Sequence, residues 1–283
     1  MRRLAAALML PAALALSALA GCSGLQFAYD NAETYLRWRL TGDLDLHGEA
    51  ADELDERIRE FMAWHRRSAL PGYAQLAEDA AQRLARGLTR EDLVWGYDAL
   101  TEQGTEFLVA TAPRIAPVLD RLTPQQQAHL EERFADDNRR FERDFVRGSE
   151  AERRGRRARR TEERLGDWVG TLTQAQVDRI SQFSAGAPLI DELRARDRTR
   201  LQAGLMQMIR ARAAASRLAD YAAGWRQGRE AAFVAANDAW RQAVFALLLD
   251  IDRTLTPAQR THAVARLQSY AAELRRLAAR GAP

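Results

Sequence analysis

Lysine is absent from the 283 residues and cysteine occurs once, so the chain has no side-chain amine and a single thiol for catalysis or metal binding. With Cys22 as its single thiol, the chain forms no intramolecular disulfide and no multi-thiolate metal cluster. All 42 basic residues are arginines, and the 39 acidic residues leave a formal net charge of +3. A charge this close to neutral argues against a general nucleic-acid binder, so no nucleic-acid partner is predicted.

Histidine is also scarce, and its spacing matches no local metal motif. His47, His65, His129 and His262 fall in neither a paired-histidine nor a Glu-x-x-His arrangement. Nucleophile elbows, phosphate loops and dinucleotide fingerprints are missing as well. We therefore predict no metal, no cofactor, no small-molecule substrate and no catalytic residue. An enzyme whose site is assembled from distant helices stays open as a weaker alternative.

Valine and isoleucine are sparse and alternating apolar runs are missing, so β-strands have little support. Good helix formers dominate, and apolar residues recur at helical spacing, as at Leu54, Ile58 and Phe61. We predict an all-α fold of seven to nine helices in an elongated helical bundle, with no sheet. Turn-forming residues predict turns or a kink at 41–43 and 70–73, breaks at 87–89, 113–117 and 184–188, and a last helix to about residue 280.

The first 21 residues have the pattern of a cleaved secretory signal peptide. A basic start at Arg2 and Arg3 precedes an apolar run over 4–20 and small residues before Cys22. The tetrapeptide Leu-Ala-Gly-Cys at 19–22 resembles the bacterial lipobox, whose cysteine becomes the lipidated first residue. That resemblance implies acylation at Cys22, and Ser23 after it favours the outer membrane, facing the periplasm. An ordinary signal peptide or an anchor helix is the alternative.

These features predict that the chain has three segments. Residues 1–21 are the signal peptide, 22–45 the lipidated N-terminus with the first helix, and 46–283 an α-helical periplasmic domain. That domain forms either one bundle or two sub-bundles that meet near 147–170. Cleavage lowers the net charge to about +1, because Arg2 and Arg3 lie before the cut. Tyr29, Tyr35 and Trp38 follow the anchor, where they either sit at the membrane interface or pack as the first helix.

The pattern Leu-Thr-x-x-Gln occurs three times, beginning at Leu122, Leu172 and Leu255. A threonine at the N-cap accepts a hydrogen bond from the third helical amide, and a glutamine at that position returns one to the N-cap amide. The repeat therefore predicts three helix starts with capping boxes, and Thr89 with Asp92 is a weaker fourth. The predicted pairs are Thr123 with Gln126, Thr173 with Gln176, and Thr256 with Gln259.

The densest run of one charge is Arg-Arg-Gly-Arg-Arg-Ala-Arg-Arg, which begins at Arg153. One interpretation is a surface for anionic lipid headgroups, lipopolysaccharide phosphates or an acidic partner. The other is a solvated helix extension or linker, loosened by Gly148 and Gly155. The candidate residues are Arg153, Arg154, Arg156, Arg157, Arg159 and Arg160.

Two family resemblances rest on these motifs. Leu-Thr-x-x-Gln is similar to the signature of Spy-type and CpxP-type periplasmic proteins, which are all-helical; Spy itself is a holdase chaperone. Most of the chain after Cys22 also resembles a family of bacterial lipoproteins of unknown function. Three segments carry that likeness: Tyr29, Tyr35 and Trp38, one residue short of the family spacing; Trp-His-Arg to Leu-Pro-Gly-Tyr-Ala over 64–74; and Leu-Thr-Pro-Gln-Gln over 122–126.

Together these features predict a lipid-anchored, non-enzymatic cell-envelope protein whose helical domain is a binding module. Its membrane partner is reached through the N-terminal lipid, and its protein partner is an unfolded client or another envelope protein. A Spy-like holdase for unfolded periplasmic clients is the most concrete version. The alternative is a structural or assembly lipoprotein with one dedicated envelope protein partner.

Overall fold

The computed structural model describes residues 23–280, and this part of the chain contains helices and turns but no β-strand. The prediction of an all-α bundle is therefore confirmed. Cys22 and the predicted signal peptide lie outside the described residues. The alternative of two sub-bundles that meet near 147–170 stays a prediction.

The described residues form eleven helices when a helix that continues through a π-helical turn is counted once, so the predicted seven to nine is wrong. Two of the boundaries follow α2 and α8, where Asp45 and Arg212 adopt a left-handed φ of 50°. The helices are α1 Ser23–Asp30, α2 Ala32–Leu44, α3 Glu49–Trp64 continuing through the π turn His65–Ala69 into Leu70–Ala85, α4 Arg90–Asp120, α5 Pro124–Phe141 continuing through the π turn Glu142–Val146, α6 Glu150–Val169, α7 Gln174–Gly186, α8 Asp191–Arg210, α9 Ala214–Ala223, α10 Ala231–Thr254 and α11 Pro257–Ala279.

The predicted break at 113–117 is wrong, because both prolines lie inside α4. Each proline lacks an amide hydrogen and weakens the helix locally. Packing compensates: Ala112 and Ala116 are buried in the main core, and α9 packs against this helix. Asp120 then caps α9, accepting hydrogen bonds from the amides of residues 214 and 215 at 2.7 and 2.9 Å.

Residues 41–43 and 70–73, where the sequence predicts turns or a kink, are helical. Residues 41–43 remain helical because Asp43 is buried in ion pairs with Arg39 and Arg133, at 2.9 and 3.0 Å, and α2 ends only at Leu44. At 70–73 the chain stays helical, since the Leu70 amide donates to the carbonyl five residues earlier and forms a π turn. The breaks at 87–89 and 184–188, and the last helix, are where the sequence predicts them.

Three hydrophobic clusters hold the helices together. The main core draws on α2, α3, α4, α5, α8 and α9, with Leu54 and Ile209 fully buried. A second cluster joins Leu70 and Ala74 of α3 to the end of α11, which lies along this half of α3. The third cluster packs Ile180 of α7 against α10. Burial of apolar surface against several neighbours stabilises these helices more than their intrinsic propensity does.

Candidate functional site

All three Leu-Thr-x-x-Gln segments form capping boxes at helix starts. In each, the backbone amide of the glutamine donates a hydrogen bond to the threonine Oγ1 over 3.2 to 3.3 Å. The glutamine Oε1 accepts from the threonine amide over 2.9 to 3.0 Å. Thr89 with Asp92 forms the fourth box, and Ser149 with Glu152 forms a fifth that the sequence reading missed. The Ser-x-x-Glu spacing at 149–152 was the available signal.

Two of the three motif glutamines also link their helix starts to each other. The side-chain amide of Gln176 donates to the Thr254 carbonyl at 3.1 Å, and that of Gln259 donates to the Thr171 carbonyl at 2.8 Å. Each carbonyl lies two residues before the capping threonine of the opposite motif. The two amides also pair reciprocally, each nitrogen lying 3.0 Å from the other's oxygen. We call this arrangement the glutamine bridge.

The glutamine bridge explains why these motifs carry glutamine rather than glutamate. Gln176 is 0% exposed and Gln259 is 6% exposed, so every unpaired polar atom would be costly. Each Oε1 accepts two hydrogen bonds and each Nε2 donates two, so both amides are fully satisfied. A glutamate would complete the capping box but has no hydrogen to donate across the bridge.

The copy that begins at Leu122 also uses its glutamine to contact another segment. Gln126 caps α5 and donates its side-chain amide to the Asp45 carbonyl at 2.9 Å, which ties α5 to the end of α2. This site is partly exposed, and it has no second glutamine opposite. The repeated motif therefore combines a helix cap with a link to another segment.

A buried carboxylate extends this network to the start of α4. Asp252 accepts from the Leu88 amide at 3.0 Å and from Arg260 at 2.8 Å. Arg260, the residue after Gln259, also donates to the Asp252 carbonyl at 2.7 Å. The starts of α4, α7 and α11 are thus joined around the end of α10.

Asp92, at the third position of α4, is held ionised by its neighbours. Burial alone raises its pKa, but hydrogen bonds from the Thr89 backbone and from the arginines outweigh burial and hold the pKa well below its usual range. Arg83 and Arg86 contact one carboxylate oxygen at 2.6 and 2.7 Å. This ion cluster fixes the end of α3 against the start of α4.

The arginine run lies on α6, where two of its members cap the end of α7. Arg154 donates to the Ser184 and Ala187 carbonyls at 3.2 and 3.0 Å. Arg157 donates to the Ala187 and Pro188 carbonyls at 2.8 Å each. Cations suit the C-terminal end of a helix, where carbonyls are unpaired and the dipole is negative. These two arginines stabilise the junction of α6 and α7.

Most of the remaining arginines in the run also have partners within the protein. Arg153 pairs with Glu192 at 2.7 Å, Arg156 donates to the Arg147 carbonyl, and Arg160 lies over the Phe145 ring at 4.7 Å. Only Arg159 among the six candidates is exposed. The run forms a regular helix rather than a loosened linker, and its role toward anionic surfaces stays a prediction.

His65 lies in the π turn of α3 inside a cluster of aromatic rings. Its Nδ1 is 3.1 Å from the Tyr29 hydroxyl, which joins α1 to α3. The Tyr29, Phe61, Tyr73 and Phe107 rings lie with centroids 5.3 to 6.1 Å from a neighbouring ring of the cluster. Burial, with a smaller contribution from the nearby Arg66 charge, lowers the pKa of His65 to about 4. The histidine is therefore a neutral packing residue at neutral pH.

The first two helices separate the three aromatic residues that the sequence grouped together. Tyr29 packs inward against the main core and the second cluster. Tyr35 and Trp38 point outward and are 42% and 59% exposed, and Phe27, which the sequence reading missed, is 71% exposed. The spacing of 27, 35 and 38 on one helical face was the signal that would have found Phe27.

The structure shows neither a metal cluster nor a membrane span in the part it describes. Between residues 23 and 280, no three His, Cys, Asp or Glu side chains are grouped to hold a metal ion. Over the same range, no helix is both long and apolar enough to cross a bilayer.

Comparison with known proteins gives a family but no activity. No curated protein and no solved structure matches the chain. The model of DUF6279, described as a family of unknown function, matches residues 43–223, which is well over half of the chain. The match ends where α9 ends, so the glutamine bridge joins Gln176 inside the matched region to Gln259 beyond it. The chain belongs to the DUF6279 family.

Proposed function

We propose that this protein is a lipid-anchored bacterial envelope protein whose helical domain is a non-catalytic binding module for one dedicated envelope protein. The N-terminal sequence supports the anchor, because a basic start, an apolar run and Leu-Ala-Gly-Cys end at Cys22. The helical domain begins at once, with α1 starting at Ser23. The acyl chains on Cys22 would keep this domain at the membrane surface.

The glutamine bridge is the observation that favours a dedicated partner over a holdase. Promiscuous binders use adaptable surfaces that repack for each client. Here two copies of the motif that resembles the Spy-type signature are turned inward, and Gln176 and Gln259 fix two helix starts in one arrangement. A fully satisfied buried polar network specifies a unique packing. The surface is thereby pre-organised, which suits a folded partner of defined shape.

The titratable groups of the interior support a non-catalytic role. His65 is packed among rings, and Asp92 and Asp252 are occupied by arginines and backbone amides. Catalytic groups instead converge on a cavity where a substrate reaches them. The shallow cleft on α4 is lined by Arg90, Glu91, Val94, Trp95 and Asp98, and it contains none of these three residues.

Site-specific photo-crosslinking in living cells tests the partner directly. A photoreactive residue at Val94 or at Leu100, which are 42% and 59% exposed, is expected to give one discrete adduct with the same envelope protein. The matched control is the exposed, charged position Glu163 on α6, which is expected to give no adduct. The full-length protein should also fail to suppress aggregation of two unrelated unfolding proteins near equimolar ratio. A continuum of adducts together with suppression of both would instead establish the holdase.

A further inference from the structure

The helices α1 and α2 follow one another almost without interruption along the outside of the bundle. Asn31 alone separates them, and its backbone is helical, with φ −96° and ψ −1°. Its amide donates to the Phe27 carbonyl at 3.2 Å, and its carbonyl accepts from the Tyr35 amide at 3.0 Å, so the i to i+4 pattern continues. Residues of α1 and α2 that are three or four positions apart therefore lie on the same side of one nearly continuous helix.

One of these shared faces is uncharged, rich in aromatic residues and exposed. Phe27, Asn31, Thr34, Tyr35 and Trp38 recur at steps of three and four, and all five are exposed. We call them the aromatic stripe. The Tyr35 and Trp38 rings lie 5.9 Å apart, and the three aromatic residues are 42% to 71% exposed.

The opposite face of the same helices already has its partners. Leu25, Tyr29 and Leu36 pack against the hydrophobic clusters of the bundle. The flanking charges are also turned toward the domain. Asp30 pairs with Arg280 at 3.5 Å, and Arg37 pairs with Asp55 at 2.7 Å. The stripe lies outside these clusters, and three exposed aromatic residues on one face mark an interaction surface.

The position of the stripe in the chain identifies what covers it. Phe27 is five residues after Cys22 and Trp38 is sixteen after it. From the start of α1 at Ser23, the helical rise is about 6 Å to Phe27 and about 22 Å to Trp38. Tyrosine and tryptophan are enriched at the level of lipid headgroups, because each ring has an apolar body and a polar edge. We propose that the aromatic stripe lies in the headgroup interface of the membrane that anchors the N-terminus. This inference rests on the proposed lipid anchor.

We call this contact between the aromatic stripe and the headgroup interface the seat. The seat changes how the helical domain is oriented at the membrane. With the acyl chains alone, the domain would turn freely about its attachment point. With the stripe in the interface, α1 and α2 lie along the membrane surface, and Tyr29 with His65 connects this face to α3. The domain then has one defined orientation toward the membrane, which restricts where a partner docks.

A fluorophore on the stripe tests the seat in the full-length lipidated protein. Thr34→Cys places a label among the three aromatic residues without removing any of them, and Thr261→Cys is the matched control, an exposed threonine near the start of α11. Each labelled protein is reconstituted into phosphatidylethanolamine and phosphatidylglycerol vesicles, with lipids brominated near the headgroup as quenchers. The label at 34 is expected to be quenched several-fold more than the label at 261. Replacing Phe27, Tyr35 and Trp38 with serine should remove the difference while the protein still floats with the vesicles.

The possible outcomes separate the seat from the anchor. Flotation with equal quenching at both positions overturns the seat and leaves the anchor standing. An unquenched label at 34 that is nevertheless shielded from a water-soluble quencher assigns the stripe to a contact between copies of this chain and also overturns the seat. If the protein with an intact stripe does not float with vesicles, the anchor and the seat are both contradicted.

Discussion

Changing Gln176 to glutamate is expected to lower the free energy of unfolding by about 4 kcal/mol, because a fully buried amide becomes a carboxylate with nothing to donate. The Thr254 carbonyl and the Gln259 oxygen would each lose a donor and face a negative charge. The capping box itself would survive, since a carboxylate oxygen still accepts from the Thr173 amide. Urea denaturation, followed by helical circular dichroism, measures the difference.

Gln126→Glu is the matched control, because it makes the same change in the same motif at a partly exposed site. It removes one hydrogen bond, to the Asp45 carbonyl, and is expected to cost about 1 kcal/mol. Replacing Gln176 and Gln259 together with leucine should cost less than the sum of the single changes, because neither amide is then left unpaired. Equal losses for Gln176→Glu and Gln126→Glu would show that the bridge does not stabilise the fold.

Mild acid is expected to destabilise the protein by about 2 kcal/mol between pH 7 and pH 5 through His65 alone. The pKa of this histidine is lowered from 6.5 in the unfolded chain to about 4 in the fold. Because the unfolded chain binds the proton more tightly, stability is complete above pH 6.5 and falls as the pH drops toward 4. The groups that face the ring are Tyr29, Tyr73 and Arg66, and none of them is an anion at this pH.

Urea denaturation at a series of pH values measures this effect. His65→Gln keeps a polar group for the Tyr29 hydroxyl and should flatten the profile between pH 5 and 7. His262→Gln, at an exposed position on α11, is the control and should leave the profile unchanged. A wild-type profile that is already flat over this range would show that His65 is not desolvated in the fold.

The helical nature of the chain and its capped starts follow from local physics, and so they could be read from the sequence. A capping box involves residues three apart, and Thr123 with Gln126 forms one whatever surrounds it. Helical periodicity is similarly local, as at Leu54 and Ile58. The number of helices could not be predicted in the same way. Arg212 forms a turn with a left-handed φ of 50°, and an arginine in the sequence does not indicate such a turn.

The features that depend on distant contacts were beyond the sequence reading. Prolines 113 and 117 signal a break locally, yet core packing keeps α4 continuous. The glutamine bridge joins residues 83 positions apart, and no spacing rule predicts that two caps face each other. Likewise, the sequence predicts that Arg154 and Arg157 belong to a charged surface, because it does not show that they contact the end of α7.

The most direct test of the lipid anchor is the mass of the N-terminal peptide of the protein purified from bacterial membranes. We expect a chain that begins at Cys22, carries the added mass of acyl chains, and leaves the membrane fraction when Cys22 is changed to alanine. A peptide that still contains residues 1–21, or an unmodified Cys22 in a membrane-bound protein, would contradict the lipid anchor and with it the proposed orientation of the helical domain.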